Sequence, residues 1–240
     1  MEDITQPIGG RVGLAADPLR LAGPPTSSHV AVPLETNPDL RFPESITEFS
    51  RMATNGKVGS ILRAIVLQIR KAPWSYGKDG VRPEVLDFVK RNIALGSDAS
   101  RARPRHQGII FDEHLRESLS MVHLGFSAFE PLYTIVRART DEELRLNMPY
   151  IAYLRKLDAR DATSIREINV DEDGGLAGIT QRVQLKDGSE EDRFIPVERL
   201  LLYTNERRGA DWYGRSILRE AYMDYYLKDQ LVRINAMGLE

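Results

Sequence analysis

A chain of 240 residues can bury a substantial core in one domain or two, and its 33 basic against 35 acidic side chains leave a net charge of only −2. That balance removes any whole-chain electrostatic reason to grip nucleic acid or an anionic membrane, and zero cysteines exclude disulfides, thiolate metal sites and a cysteine nucleophile. No apolar run approaches the roughly 20 residues that span a bilayer, and Glu2 and Asp3 stand where a signal peptide would be basic, so the chain reads as soluble and cytosolic.

Residues 1–43 hold seven of the thirteen prolines and no helical or strand period, which predicts an extended or disordered arm. Ser45 and Glu48 then fit a capping box that opens a helix running to Thr54, with Asn55 and Gly56 as its stop. A second helix places Val58, Ile61, Leu62, Ile65 and Ile69 on one face and Lys57, Arg63, Arg70 and Lys71 outside it. It ends at Pro73 beside Trp74, a residue expected in the core. A third helix starts with Pro83, turns Leu86, Val89 and Ile93 inward and closes at Gly96. In the following loop Arg101, Arg103, Arg105 and His106 form a charge run. Its ordinary reading is a solvated loop, its functional one a contact with phosphate or an acidic partner.

Asp112 is placed to cap a helix reaching Gly125, in which Phe111, Leu115, Leu119, Val122 and Phe126 recur at three- and four-residue steps. Glu113, His114 and Glu117 on its polar face lack the spacing of a zinc-binding HExxH, and no metal is expected. Strands are predicted over Phe129–Val136 and within Met148–Leu157. Three more follow, Ser164–Val170, Leu176–Leu185 and Arg193–Val197, joined by acidic turns. In the second turn Asp187-Gly188 suits a type I′ hairpin. Residues 158–199 carry six basic against eleven acidic side chains, −5 in all. Asp171, Glu172 and Asp173 with Glu190, Glu191 and Asp192 are therefore candidate docking residues for a basic partner, against the plain reading that turns favour Asp for their geometry.

From Arg215 to Met237 there is neither Pro nor Gly, which predicts one helix of about 33 Å. Ile217, Ala221, Tyr225 and Val232 lie on one side, Leu218, Tyr222 and Leu231 on another, and Glu220, Asp224 and Lys228 form a polar stripe. Such a helix needs several neighbours, so Ile217, Leu218, Tyr222 and Tyr225 are candidates for a subunit contact. Nothing after Gly238 closes the pattern, and the chain reads as the front part of a longer polypeptide. No P-loop, dinucleotide-binding glycine pattern or nucleophile elbow is present, and the four histidines are scattered; no catalytic residue, metal or cofactor is assigned.

Four segments, in order, resemble the portal proteins of tailed bacteriophages, in particular the Mu-like branch. They are Lys57–Trp74; His123–Tyr133, in which a helix ends at Gly125-Phe126-Ser127 before Glu130 and a strand; Asp171–Val183; and Ile195–Leu231, with Gly214-Arg215-Ser216 before a helix. The resemblance covers about residue 46 to 240. It implies an α+β, portal-like fold: an extended arm at 1–43, wing helices at 44–110, a stem helix and connecting strand at 111–149, a β-rich clip at 150–205, and a second stem helix from 206 that is apparently truncated at 240.

The function it implies is structural: a homo-oligomeric ring of about a dozen subunits at the capsid vertex of the virion, assembled in the host cytoplasm. Such a ring passes double-stranded DNA without reading its sequence during genome packaging and ejection, and it joins head to tail. Implied partners are other copies of the chain, the terminase large subunit, a head–tail adaptor and the major capsid or scaffold protein, with no membrane. A near-neutral chain suits a conduit, because strong phosphate contacts would add drag through counterion release. The alternatives are a DNA-processing enzyme or DNA-binding module using the Arg101–His106 loop, and a different head–tail adaptor.

Overall fold

The computed structural model describes residues 35–96 and 108–237. Residues 1–34 of the proline-rich arm and the Arg101, Arg103, Arg105 and His106 loop lie outside the described residues, whereas 35–43 are not a free arm: Pro38–Leu40 form a 3₁₀ turn, Leu40 is buried and Glu35 pairs with Arg219. Helices and antiparallel sheets occur together, an α+β arrangement.

Helix α1 spans Glu44–Thr54 and α2 spans Gly56–Arg70. Asn55 separates them as expected, and its side chain accepts a hydrogen bond from the Lys57 N–H, so the residue that stops α1 also caps α2. The capping box at Ser45 does not form. Pro43 precedes the helix, Ser45 is buried in the first turn, and Glu48 pairs with Arg51 one turn later. Only Leu62 of α2 is buried. Ile61 is 59% exposed and Trp74, expected in the core, is 50% exposed and stacks edge-on against Phe111. The period of α2 was legible, but nothing among the described residues lies over the Ile61 side of it.

Helix α3 runs Pro83–Asn92 and ends one residue before Ile93, because Asn92 is held twice. Its amide donates to the Phe88 carbonyl and its Oδ1 accepts from the Leu154 N–H. Ile93 and Ala94 instead form β1, parallel to β2 (Ile109–Ile110).

The single helix expected over 112–125 is two: α4 (Phe111–Ser118) and α5 (Met121–Leu124). The Ser127 hydroxyl donates to the Ser118 carbonyl at 2.8 Å, while Val122 N–H bonds to Leu119, three residues back. The four-residue ladder is interrupted there. Asp112 does not cap α4; it lies in the first turn and pairs with Arg70 of α2.

Strand β3 (Phe126–Arg137) is the backbone of the larger sheet, ordered β4-β3-β8, with β4 over Tyr150–Arg160 and β8 over Leu201–Thr204. A division at residue 150 would cut the β3–β4 hairpin. The separate β module is the antiparallel sheet β5 (Ile165–Val170), β6 (Leu176–Gln184) and β7 (Glu190–Pro196). Its two turns follow consecutive hairpins and therefore fall at opposite ends of β6. The Asp187-Gly188 turn is not type I′: Gly188 alone has positive φ, and Leu185 closes the loop with Ser189. This is a type I turn with a glycine bulge.

Two cores hold these parts together. Phe126, Ala128, Ile165, Ile168, Ile179 and Ile195 join the sheets, with Ile46 of α1 on top. Leu40, Phe49, Met52, Leu62, Leu218 and Tyr222 join α1 and α2 to the segment leading into the last helix. A third, smaller cluster of Leu146, Ile151 and Tyr153 seats Val85 and Phe88 of α3 on the hairpin. A single helical turn, capped by Thr140, spans Asp141–Leu144, and the last helix, α6, spans Tyr222–Met237. It is preceded by a tighter 3₁₀ turn at Ile217–Arg219 in place of the continuous helix expected from Arg215.

Candidate functional site

The two Gly-x-Ser steps meet. Gly125 (φ 98°) and Gly214 (φ 64°) approach so closely that a Cβ on Gly214 would lie 2.5 Å from the Gly125 carbonyl oxygen and 2.6 Å from that of Asn205. Only glycine fits such a backbone contact at positive φ. Asn205 stitches the junction: its N–H donates to the Gly125 carbonyl, its carbonyl accepts from Arg215 N–H, and its side-chain amide donates to the Arg215 carbonyl. Ser216 is buried; its hydroxyl donates to the His123 carbonyl at 2.6 Å and accepts from the Leu218 N–H at 3.0 Å. Together these bonds fix where α6 departs from the body.

Beyond Tyr222 no residue of α6 is buried. Met223, Tyr226, Leu227, Leu231, Ile234 and Met237 recur at three- and four-residue steps and are 39 to 70% exposed. At 100° per residue they form one stripe about 140° wide. Sequence reading placed the contact on other residues of this segment. Leu218 and Tyr222 are buried in the chain's own core, and Ile217 and Tyr225 pack against it. Burial, and then a 2.7 Å hydrogen bond to Asp39, pushes the Tyr222 phenol up to about 12. The signal for the outer stripe was already in the sequence, as the same period continued past Tyr225.

The acidic candidates are not brought together. Asp171, Glu172 and Asp173 lie in the β5–β6 turn, which the Trp212 indole holds by donating to the Gly174 carbonyl. Glu190, Glu191 and Asp192 lie at the other end of the sheet. There Arg182 pairs with Glu190 and Asp192, Arg193 with Glu191, and Arg166 with Asp192. Cross-strand pairs from Arg182 and Arg166, and the Arg193–Glu191 pair within β7, thus offset much of the charge that a count along the chain makes look concentrated.

Two buried polar groups escaped the sequence reading. Glu130 on β3 is almost fully buried and binds both Arg160 of β4 and Arg199 ahead of β8, clasping the connection to the second sheet. His114 points inward, with Nε2 2.9 Å from the Tyr203 hydroxyl and its ring edge-on to Phe129; burial lowers its pKa. It is thereby turned away from the exposed Glu113 and Glu117. Among the described residues no three His, Cys, Asp or Glu side chains gather as metal ligands, and no helix is long and apolar enough to cross a membrane.

A family model described as the portal protein of Mu bacteriophage matches residues 46–240. No curated protein matches the chain.

Proposed function

The chain belongs to the Mu bacteriophage portal protein family, a structural and not an enzymatic one, and from that premise we propose that it is the repeating subunit of a ring-shaped DNA channel at the capsid vertex. The observation that carries the reading is α6: a helix whose apolar stripe has no cover among the described residues is marginal in water and calls for a neighbour. A closed ring of identical subunits supplies one to every copy without leaving an open end.

In this reading α1–α3 belong to the wing, α6 is stem, and the clip is the β5–β7 sheet. The 112–125 stem assignment is narrowed to the short α4 and α5, which brace α6 through His123 and Gly125. Of the six acidic docking candidates, the Lys186–Asp192 tip is the end not tied to Trp212, and so the end on which a terminase or head–tail adaptor would bear. Double-stranded DNA passes through without sequence-specific contacts, which suits a chain of net charge −2. Capsid or scaffold protein would surround the ring in the virion.

Size-exclusion chromatography with light scattering on the full-length protein tests the proposal. A closed species of about a dozen subunits is expected, and Leu227→Asp with Leu231→Asp should give a folded monomer, since exposed substitutions cost within about 0.5 kcal/mol of chain stability. A wild-type monomer that cleaves DNA or hydrolyses ATP would defeat it.

A further inference from the structure

The outer stripe of α6 has a counterpart elsewhere on the same chain. Between α2 and the β3–β4 sheet opens a cleft of about 810 Å³, lined by Gly59, Leu62 and Val66 on one wall and by Ala128, Phe129 and Ala159 on the other. This volume lies in the upper part of the roughly 300–1,000 Å³ typical of binding pockets. No residue of α6 lines it. The helix is anchored at Tyr222 and runs on unbroken to Met237, so its far end lies about 22 Å from that anchor.

We propose that the Met223–Leu227–Leu231–Ile234 stripe of one subunit fills the α2/sheet cleft of its neighbour. The anchors follow the spacing by which an amphipathic helix enters an apolar groove. Charge does not oppose the fit: exposed Arg63 and Arg116 line the cleft with Glu117 and Asp161, and Asp224 and Lys228 flank the stripe of α6, so each surface offers both signs to the other. Helix and cleft are different surfaces, so the contact is head-to-tail, the kind that closes a ring when the rotation permits. This rests on the ring reading and specifies which surfaces meet in it.

The cysteine-free chain makes the test clean. Val66→Cys and Leu231→Cys are placed in separate full-length chains, co-expressed and oxidised, and a double variant carries both. A disulfide forms only where Cα atoms come within about 7 Å. The expected result is a covalent pair joining one Val66→Cys chain to one Leu231→Cys chain, a ladder of covalent multimers from the double variant, and no pair from Leu231→Cys alone. Rings by light scattering with no mixed pair, or with Leu231→Cys joined to itself, would overturn this contact and leave the ring reading standing. A chain that stays monomeric would overturn both.

Discussion

Replacing Gly214 with alanine tests whether the Gly-x-Ser junction sets the position of α6. Alanine at φ 64° carries a left-handed strain of about 1–3 kcal/mol. Its Cβ would also stand 2.5 and 2.6 Å from two backbone oxygens, of Gly125 and Asn205, and neither can swing aside as a side chain could. Moving them stretches the Asn205 hydrogen bonds to Gly125 and Arg215, each worth about 1 kcal/mol net. The expected loss is therefore about 3–5 kcal/mol, a large part of the roughly 5–15 kcal/mol that holds a domain folded. Gly188→Ala is the control for strain alone, as that turn has positive φ and open space around the glycine. Urea denaturation followed by circular dichroism, at one protein concentration, reads the difference as a shift in midpoint at constant slope. Equal midpoints for the two variants would refute the steric argument.

Glu130→Ala leaves Arg160 without its buried carboxylate partner and should cost about 2–3 kcal/mol. This is less than the 3–5 of a wholly buried pair because Arg199 is 66% exposed; Arg199→Ala should cost under about 1 kcal/mol in the same urea assay. Since the folded Tyr222 phenol is raised to about 12, its contribution is fully present below its ordinary value near 10 and is lost as pH rises from there to about 12. Thermal melts across that window should fall more steeply for wild type than for Tyr222→Phe. The lowered pKa of His114 has the opposite sense: the unfolded chain takes up a proton first as pH falls through about 6.5, so stability declines below that value. A His114→Phe variant that declines as steeply between pH 7 and 5 would reject His114 as the cause, with His123, also lowered by burial, as the remaining candidate.

Local pattern determined much of this protein. Three- and four-residue periods located α2 and the last helix, Asn55 and Gly56 marked the break between the first two helices although the capping box read at the start of α1 does not form, and the acidic turns separated β5 to β7. The quoted segments, with both Gly-x-Ser steps, were also enough to identify the family. These features act over a few residues, where backbone geometry and capping are decided. Other features depend on contacts between distant parts of the chain. The Ser127 hydroxyl breaks the helix at Ser118, and Asn92 stops α3 because Leu154 lies opposite. β8 joins β3 rather than the sheet it follows, and successive hairpins send the two acidic turns to opposite ends. Periodicity marked Ile61 and Tyr222 alike as apolar positions on helices. Tyr222 became core and Ile61 surface only because Leu40 and Leu218 close over one, and nothing among the described residues closes over the other.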